Sequence, residues 1–167
     1  MMKTDMTARP DDQQMMREAI EVAREAVHCG EAPIGVVLYS AQGQRLAQGW
    51  NQRRSTGDIT RHGEMVAFAA LSQPGRPQPE GMILASTLEP CVMCWGACLE
   101  LKVSRMIYGL EAPPNGGSGR VSDPDRPVEV SGPVLREECR ELFVDWLEEH
   151  PDHAGNGFVR ELLASTG

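Results

Sequence analysis

The sequence of 167 residues has no long hydrophobic run. No apolar stretch approaches the roughly 20 residues that a membrane-spanning helix requires. Residues 1–10 include Asp5 and Arg9 and lack the hydrophobic centre of a signal peptide. These absences predict a cytoplasmic protein that has no membrane partner.

Positive charge is scarce as well. Lys and Arg total 16 against 24 Asp and Glu, which gives a formal net charge of −8 at pH 7. A protein that binds a polyanion usually carries a basic patch, whereas Arg53 and Arg54 form the only adjacent basic pair in this sequence. The charge balance therefore argues against a nucleic-acid partner.

The cysteines do not form the pattern of a disulfide framework. Their number, five, is odd, and the thiols of a cytosolic protein stay reduced. Three of the five, Cys91, Cys94 and Cys98, fall within the stretch TLEPCVMCWGACLE. Metal binding, redox chemistry or core packing could each explain such a cluster.

The remaining composition, with 41% hydrophobic and 24% charged residues, is typical of an ordinary globular protein. Its length predicts a single domain over residues 1–167 that ends in a helical tail at 151–167. Apolar periodicity predicts helices over 11–29, 60–71, 91–101, 133–149 and 158–163, and strands over 34–39, 45–50, 82–88, 105–110 and 127–130. Asp11 or Asp12 would cap the first helix and Thr60 the second. An opening hairpin followed by alternating helices and strands predicts an α/β fold, a three-layer α/β/α sandwich with a mixed sheet.

Cys91 and Cys94 have the spacing of metal ligands. Residues three apart at the start of a helix lie on one face, and a helix N-terminus favours the thiolate that binds metal. A zinc site needs a further protein ligand, and His62 is the candidate, because helices that follow neighbouring strands begin at the same edge of a sheet. A redox pair would leave His62 unexplained, and a structural zinc knuckle would need a second Cys or His pair that the sequence lacks.

Glu64 is the candidate general acid and base. Two residues correspond to a rotation of roughly 200° on a helix, so this carboxylate would not share the metal with the histidine before it. It would instead face the open metal position. Cys98 lies roughly 10 Å from Cys91 along the helix axis, too far for a metal with Zn–S bonds of about 2.3 Å. Cys98 is therefore predicted to lie in the core, as are Cys29 and Cys139.

The letters HGE at 62–64 followed by PCVMC at 90–94 match the H-x-E…P-C-x-x-C signature of the zinc deaminases. The longer segments TLEPCVMCWGAC, RMIYGL and GWN resemble one branch of the cytidine deaminase-like superfamily. That branch holds bacterial tRNA adenosine deaminases, bacterial guanine deaminases and fungal cytosine deaminase. The likeness extends from Met15 to Glu149, and it implies a five-stranded sheet between helices and a homodimer.

The resemblance also implies roles for individual residues. His62, Cys91 and Cys94 would bind Zn²⁺, with water in the remaining position. Glu64 would transfer a proton from that water to a ring nitrogen and then help to protonate the departing ammonia.

Two further residues are candidates for contacts to the substrate. Asn51 matches a position that hydrogen-bonds the edge of the base in this family, although an asparagine also suits the turn that ends a strand. Trp95 departs from the family's pattern. Its indole would either stack on a flat ring in the pocket or fill the core.

The acidic character of the chain favours a small substrate. Asp123 and Asp125 in the predicted long loop and Glu148 and Glu149 in a predicted helix would repel phosphate. We therefore expect zinc-dependent hydrolytic deamination of a free nucleobase or a related aminated heterocycle, similar to guanine or cytosine, and no nucleic-acid partner. The alternatives are adenosine deamination in tRNA and a zinc-stabilised, non-catalytic partner subunit, and Glu64 argues against the latter.

Overall fold

The computed structural model describes residues 10–167. The expectation of a missing signal peptide, as far as it rests on residues 1–9, lies outside these residues, and so does the side chain of Asp11, one of the two predicted caps. No helix within the described range combines the length and the apolar character that crossing a membrane requires.

Five strands form a single mixed sheet: β1 (Gly35–Tyr39), β2 (Arg45–Trp50), β3 (Ile83–Leu88), β4 (Arg105–Leu110) and β5 (Glu129–Ser131). Their order in the sheet is β2-β1-β3-β4-β5. β1 is antiparallel to both of its neighbours, β2 and β3. β3, β4 and β5 are mutually parallel. The prediction of a mixed five-stranded sheet is confirmed.

Within residues 10–167, six helices accompany the sheet: α1 (Pro10–His28), α2 (Arg53–Thr56), α3 (Gly63–Leu71), α4 (Val92–Glu100), α5 (Arg136–Glu149) and α6 (Asn156–Ser165). The apolar side chains form two clusters, one on each face of the sheet. Val37 and Tyr39 of β1 pack in the cluster that α1, α5 and α6 cover. Val36 and Leu38 point the other way, into the cluster that α3 and α4 cover. This alternation along one strand produces the three layers, because successive side chains of a strand lie on opposite faces.

The start of α1 differs from the prediction. The helix begins at Pro10, so Asp12 lies within its first turn and does not cap it. Asp12 is fully buried and forms an ion pair with Arg105 of β4, which is itself 8% exposed. The pair therefore attaches the first turn of α1 to the beginning of β4.

The start of α3 also differs from the prediction. Thr60 does not cap the helix, because its backbone N–H and its hydroxyl both donate to Asp58 Oδ1, at 2.8 and 2.7 Å. The helix begins three residues later, and His62 is the residue that precedes its first turn. The short helix α2 was not predicted, and Cys29, which was expected in the core, is exposed.

Candidate metal and active site

The chain topology brings two helix N-termini to one edge of the sheet. β2 and β3 point in the same direction, since both are antiparallel to β1. α3 follows β2 and α4 follows β3, so both helices start at the same edge, where α/β folds place their sites. His62 and Cys91 are the residues immediately before these two helices, and both have extended backbone conformations. Cys94 lies in the first turn of α4.

The sulfur and nitrogen atoms of these three residues form a cluster of metal-binding size. His62 Nδ1 lies 3.5 Å from Cys91 Sγ and 3.6 Å from Cys94 Sγ. All three potential ligand atoms lie within 4.8 Å of one another. Ligands around a tetrahedral zinc with Zn–S bonds of about 2.3 Å and Zn–N bonds of about 2.0–2.1 Å are separated by roughly 3.6 Å. The donor set and the spacing therefore fit zinc.

The hydrogen bonds within the cluster favour the thiolate form of Cys91. A hydrogen bond from the Cys94 thiol, together with one donated by His62 Nδ1–H, lowers the pKa of Cys91 to about 4. The same hydrogen bond, together with burial, raises the pKa of Cys94. Hydrogen bonding to Cys91 raises the pKa of His62. The thiolate is the form of cysteine that binds metal.

Glu64 lies beside this cluster in the first turn of α3 and is 3% exposed. Its carboxyl group is within hydrogen-bonding reach of the Cys94 thiol, and burial raises its pKa. His62 lies outside the helix, so the predicted rotation of roughly 200° between the two side chains does not apply. The two residues instead face one cavity, and Glu64 lies within reach of the metal cluster without belonging to it.

A cavity of about 780 Å³ opens onto the cluster. It is lined by Glu31, Ala32, Ile34, Asn51, Arg53, Arg54, Ile59, His62, Gly63, Glu64, Leu88, Glu89, Cys91, Val92, Met93, Ala112, Pro114, Asn115, Arg120, His153, Ala154, Gly155 and Phe158. Among the described residues, the large apolar side chains that are exposed, Ile59, Val92 and Met93, all belong to this wall. The cavity combines a metal cluster, a buried carboxyl group and an apolar rim.

Asn51 is part of this wall, as a substrate-binding residue would need to be. Its Nδ2 donates to Glu31 Oε2 at 3.4 Å, and Glu31 also accepts a 2.8 Å hydrogen bond from the backbone N–H of Ser55. Glu31 is 2% exposed. Sequence reasoning missed Glu31, because a single glutamate after a helix end carries no distinctive pattern.

Trp95 is not part of the cavity wall. It is 5% exposed and packs in the core between α3, α4 and the sheet. Its Nε1–H donates to the carbonyl oxygen of Val121 at 2.6 Å. Of the two roles that the sequence left open, the structure places this side chain in the core, where it holds the long loop against α4.

The loop between β4 and β5 lies against the start of α4. The Glu89 carboxylate accepts hydrogen bonds from the backbone N–H of Ala112, at 2.9 Å, and from the Ser118 hydroxyl. Gly117 N–H donates to the carbonyl of Pro90 at 2.8 Å. A Cβ atom on Gly117 would lie 2.6 Å from Trp95 Cβ, so only glycine permits this close approach. The loop thereby brings Arg120 to the cavity.

Three arginines from distant parts of the chain line the cavity. Arg53 and Arg54 belong to α2, and Arg120 belongs to the loop between β4 and β5. All three are exposed. The sequence showed only the adjacent pair, because no local pattern indicates that Arg120 folds back to join it.

The comparison with protein families identifies the zinc-binding region of cytidine and deoxycytidylate deaminases, which matches residues 9–110. The matched range contains Asn51, His62, Glu64, Cys91 and Cys94. The rest of the cavity wall, from Ala112 onward, lies outside it.

Two curated relatives show how far the similarity extends. A tRNA(Ile)-lysidine synthase from Deinococcus deserti is 43% identical over 109 residues, which are 65% of this chain and 20% of that protein. The chain thus spans about a fifth of the length of that relative. The tRNA-specific adenosine deaminase of Bacillus subtilis is 36% identical over 145 residues, which cover 83% of this chain and 89% of the relative.

A solved structure from work on A-to-I editing by tRNA:A34 deaminases at the wobble position of transfer RNA is also similar. It has a TM-score of 0.69 and 30% sequence identity, and the match covers 77% of this chain and 98% of that one.

These relatives contradict two expectations. One was that the substrate is a free nucleobase or a small heterocycle, and the other was that the protein has no nucleic-acid partner. Two of the three proteins described are tRNA adenosine deaminases, matched over most of their length. The expectations were wrong because the net charge of −8 sums over the whole chain, whereas a ligand responds to the charges around its binding site. The acidic residues that argued against RNA do not line the cavity, and Arg53, Arg54 and Arg120 do.

Proposed function

Because this chain belongs to the family of zinc-binding cytidine and deoxycytidylate deaminases, we propose that it deaminates adenosine to inosine in transfer RNA. The observation that carries the proposal is the cavity, in which the buried Glu64 and the His-Cys-Cys cluster lie together with Arg53, Arg54 and Arg120. Exposed arginines around a pocket suit a substrate that carries phosphates on both sides of its reacting base.

His62, Cys91 and Cys94 would hold zinc. Three protein ligands leave one position of a tetrahedral ion for water, which is the arrangement of a catalytic rather than a structural site. When bound, zinc acts as a Lewis acid that lowers the pKa of water. The helix N-termini that carry the ligands stabilise the thiolate form on which binding depends.

Glu64 would transfer the protons of the reaction. Its carboxylate would accept a proton from the attacking water and pass it to a ring nitrogen as the water oxygen bonds to C6 of the adenine. Glu64 would then move the second proton of the water from the hydroxyl on C6 to N6, so that the C6–N6 bond breaks, ammonia leaves, and the product base is hypoxanthine. Burial of Glu64 at 3% exposure supports the role, because a carboxyl group in a dry site binds protons more readily than one in water.

Asn51 would orient the base. A nucleobase within RNA must leave its stack to enter a cavity of this kind, and the amide of Asn51 offers both a donor and an acceptor to its edge. The hydrogen bond to Glu31 holds the amide in one orientation. A carboxylate only accepts, so the NH₂ group faces Glu31 and the oxygen faces away from it.

A direct test measures ammonia and inosine formation from four kinds of substrate. These are a tRNA with adenosine at the wobble position, its isolated anticodon stem-loop, free adenosine, and the free bases adenine, guanine and cytosine. We expect ammonia and inosine from the tRNA and the stem-loop. Ammonia from the free bases with none from RNA would contradict the proposal. A zinc-loaded, folded protein that releases ammonia from none of these substrates would favour a non-catalytic partner subunit instead.

We also propose that the protein acts in the cytoplasm as a homodimer. The relatives that act on tRNA support the location, and the resemblance to the family supports the dimer. Light scattering of the purified protein tests the second part: a dimer has twice the chain mass of 18.3 kDa. A species of single-chain mass at micromolar concentration would contradict it.

A further inference from the structure

The cavity wall has two parts of different origin. The metal cluster, Glu64 and Asn51 come from residues within the range 9–110 that matches the family. The rest of the wall comes from two segments beyond that range, the loop between β4 and β5 and the C-terminal segment, residues 151–167. Residues that a whole family shares serve its common chemistry, and recognition depends on loops and appended segments that differ between members.

The C-terminal segment is fixed against its own cavity. His153 accepts a hydrogen bond from Gly155 N–H at Nδ1, at 2.8 Å, and its Nε2 lies 3.0 Å from the carbonyl oxygen of Gly30. The ring also packs edge-on against Trp146, with centroids 4.5 Å apart. Both hydrogen bonds are satisfied by one neutral tautomer, with the proton on Nε2. His153 therefore fastens the segment to the end of α1.

The helix that follows is attached equally firmly. Asn156 Nδ2 donates to the carbonyl of His150 at 2.9 Å. Val159 and Leu162 of α6 are at most 1% exposed and lie in the same core cluster as Trp146. The segment is thus a packed part of the cavity wall.

Phe158 is the aromatic residue that this segment contributes. The chain's three Phe, three Trp and two Tyr residues all lie within the described range. Of these, Phe158 is the one that lines the cavity, and its half-buried ring also packs against the core cluster that contains Val159 and Leu162. The others pack in the two cores or lie partly buried away from it: Tyr39, Trp50, Phe68, Trp95, Tyr108, Phe143 and Trp146.

The cavity has room for more than the reacting base. Its volume of about 780 Å³ lies in the upper part of the ~300–1,000 Å³ range that drug-sized ligands of several rings occupy. Proteins that recognise single-stranded RNA splay the bases next to one another and stack them on aromatic rings. In a cavity with room for two bases, an aromatic ring on the wall can stack on the base next to the reacting one.

On the basis of the proposed function, we propose that Phe158 is a substrate-binding residue that stacks on the base of a nucleotide adjacent to the target adenosine. The segment that carries it, fixed by His153, holds the ring in place before the RNA arrives. A preformed stacking surface lowers the entropy cost of binding.

The test is a double-mutant cycle between the protein and the RNA. Phe158→Leu removes the ring and keeps apolar bulk, and an anticodon stem-loop with an abasic nucleotide on the 5′ or the 3′ side of the target removes its stacking partner. We expect Phe158→Leu to raise KM for the intact stem-loop by roughly 5- to 150-fold, the range for one aromatic–base stack, with kcat little changed. On one of the two abasic RNAs the same substitution should have almost no effect.

Two further variants separate stacking from stability. Phe158→Tyr keeps the ring and should restore the KM of the original protein. Leu163→Ala loosens the same helix, since Leu163 packs on the core and does not line the cavity, and should lower the melting temperature without the change in KM. Equal losses for Phe158→Leu on the intact and both abasic RNAs would overturn the inference. Inactivity of the unaltered protein on the stem-loop would instead contradict the proposed function itself.

Discussion

Glu64 combines a buried position with a group that normally prefers water. At 3% exposure its carboxyl group has its pKa raised by burial, and it lies beside the metal cluster without being one of the three ligands. A residue whose only task was structural would rarely be an acid at this position, because a buried carboxylate costs several kcal/mol unless it has a partner.

Replacement of Glu64 by glutamine should therefore separate chemistry from metal binding. Glu64→Gln keeps the size and hydrogen-bonding capacity of the side chain but cannot transfer a proton. We expect kcat to fall by about 10²- to 10⁴-fold, with one zinc per chain retained in elemental analysis. A variant with more than a tenth of the original turnover would remove the proposed role.

The five cysteines differ in their surroundings and should differ in reactivity. Cys29 is exposed, Cys91 is half-buried, and Cys94, Cys98 and Cys139 are buried. Burial raises the pKa of Cys139 to about 12, which keeps it in the unreactive thiol form at neutral pH.

With zinc bound, iodoacetamide should modify Cys29 alone. After a chelator has removed the zinc, iodoacetamide should also modify Cys91, because its sulfur is then free and partly accessible. Peptide mapping by mass spectrometry measures both rates. Modification of Cys91 at equal rates with and without zinc would exclude it as a ligand.

At the scale of elements, the start of α4 is shaped by two neighbours. Pro90 separates β3 from the helix, and the loop between β4 and β5 lies against its first turn through Gly116 and Gly117. Because these glycines have no side chain, the loop can lie closer to the start of α4 than any other residue would permit. The positions of Cys91 and Cys94 thus depend on the loop between β4 and β5, which lies some twenty residues after them in the sequence.

Gly117→Ala should disturb the site from outside it. The added methyl group would lie 2.6 Å from Trp95 Cβ and 2.9 Å from the carbonyl oxygen of Cys91, and overpacking of this kind costs about 1–3 kcal/mol. We expect a lower melting temperature and weaker zinc retention in a chelator competition. Gly96→Ala, in α4 with open space around it, is the matched control and should stabilise the protein by about 0.5–1 kcal/mol. Identical behaviour of the two variants would show that the loop does not support the cysteines.

At the scale of the whole molecule, the distribution of charge matters more than its sum. The protein carries a net charge of −8, yet three exposed arginines meet at one cavity. Two acids of that wall, Glu31 and Glu89, accept hydrogen bonds from backbone N–H groups rather than pairing with these arginines. An acidic protein can therefore present a local site for phosphate.

This distribution predicts a local salt effect on RNA binding. Arg53→Gln combined with Arg54→Gln should weaken stem-loop binding and flatten its dependence on salt, by about 0.7 in the slope of log K for each phosphate that the variant no longer neutralises. Arg17→Gln combined with Arg24→Gln removes the same charge from α1, away from the cavity, and should leave the slope unchanged. Binding isotherms between 50 and 200 mM salt measure both, and equal slopes for the two double variants would contradict the assignment.

The sequence by itself determined the sheet, the metal cluster and the family. The apolar, β-branched run of β1, the breaks at Pro90 and Gly30 and the spacing of Cys91 and Cys94 are local patterns, and local physics fixes what they form. His62 could be added because helices that follow strands begin at a common edge. The role of Asn51, which follows β2, comes instead from the resemblance to the family, since an asparagine there also suits a turn.

Only the tertiary structure decided which residues line the cavity. Trp95 turned into the core and Phe158 reached the cavity, although the sequence favours neither arrangement. Arg120 joined Arg53 and Arg54 through a loop whose path depends on Glu89 and Gly117. These contacts join segments far apart in the chain, so they depend on packing and not on any local pattern. For the same reason, the charge that RNA would meet could not be obtained from the composition.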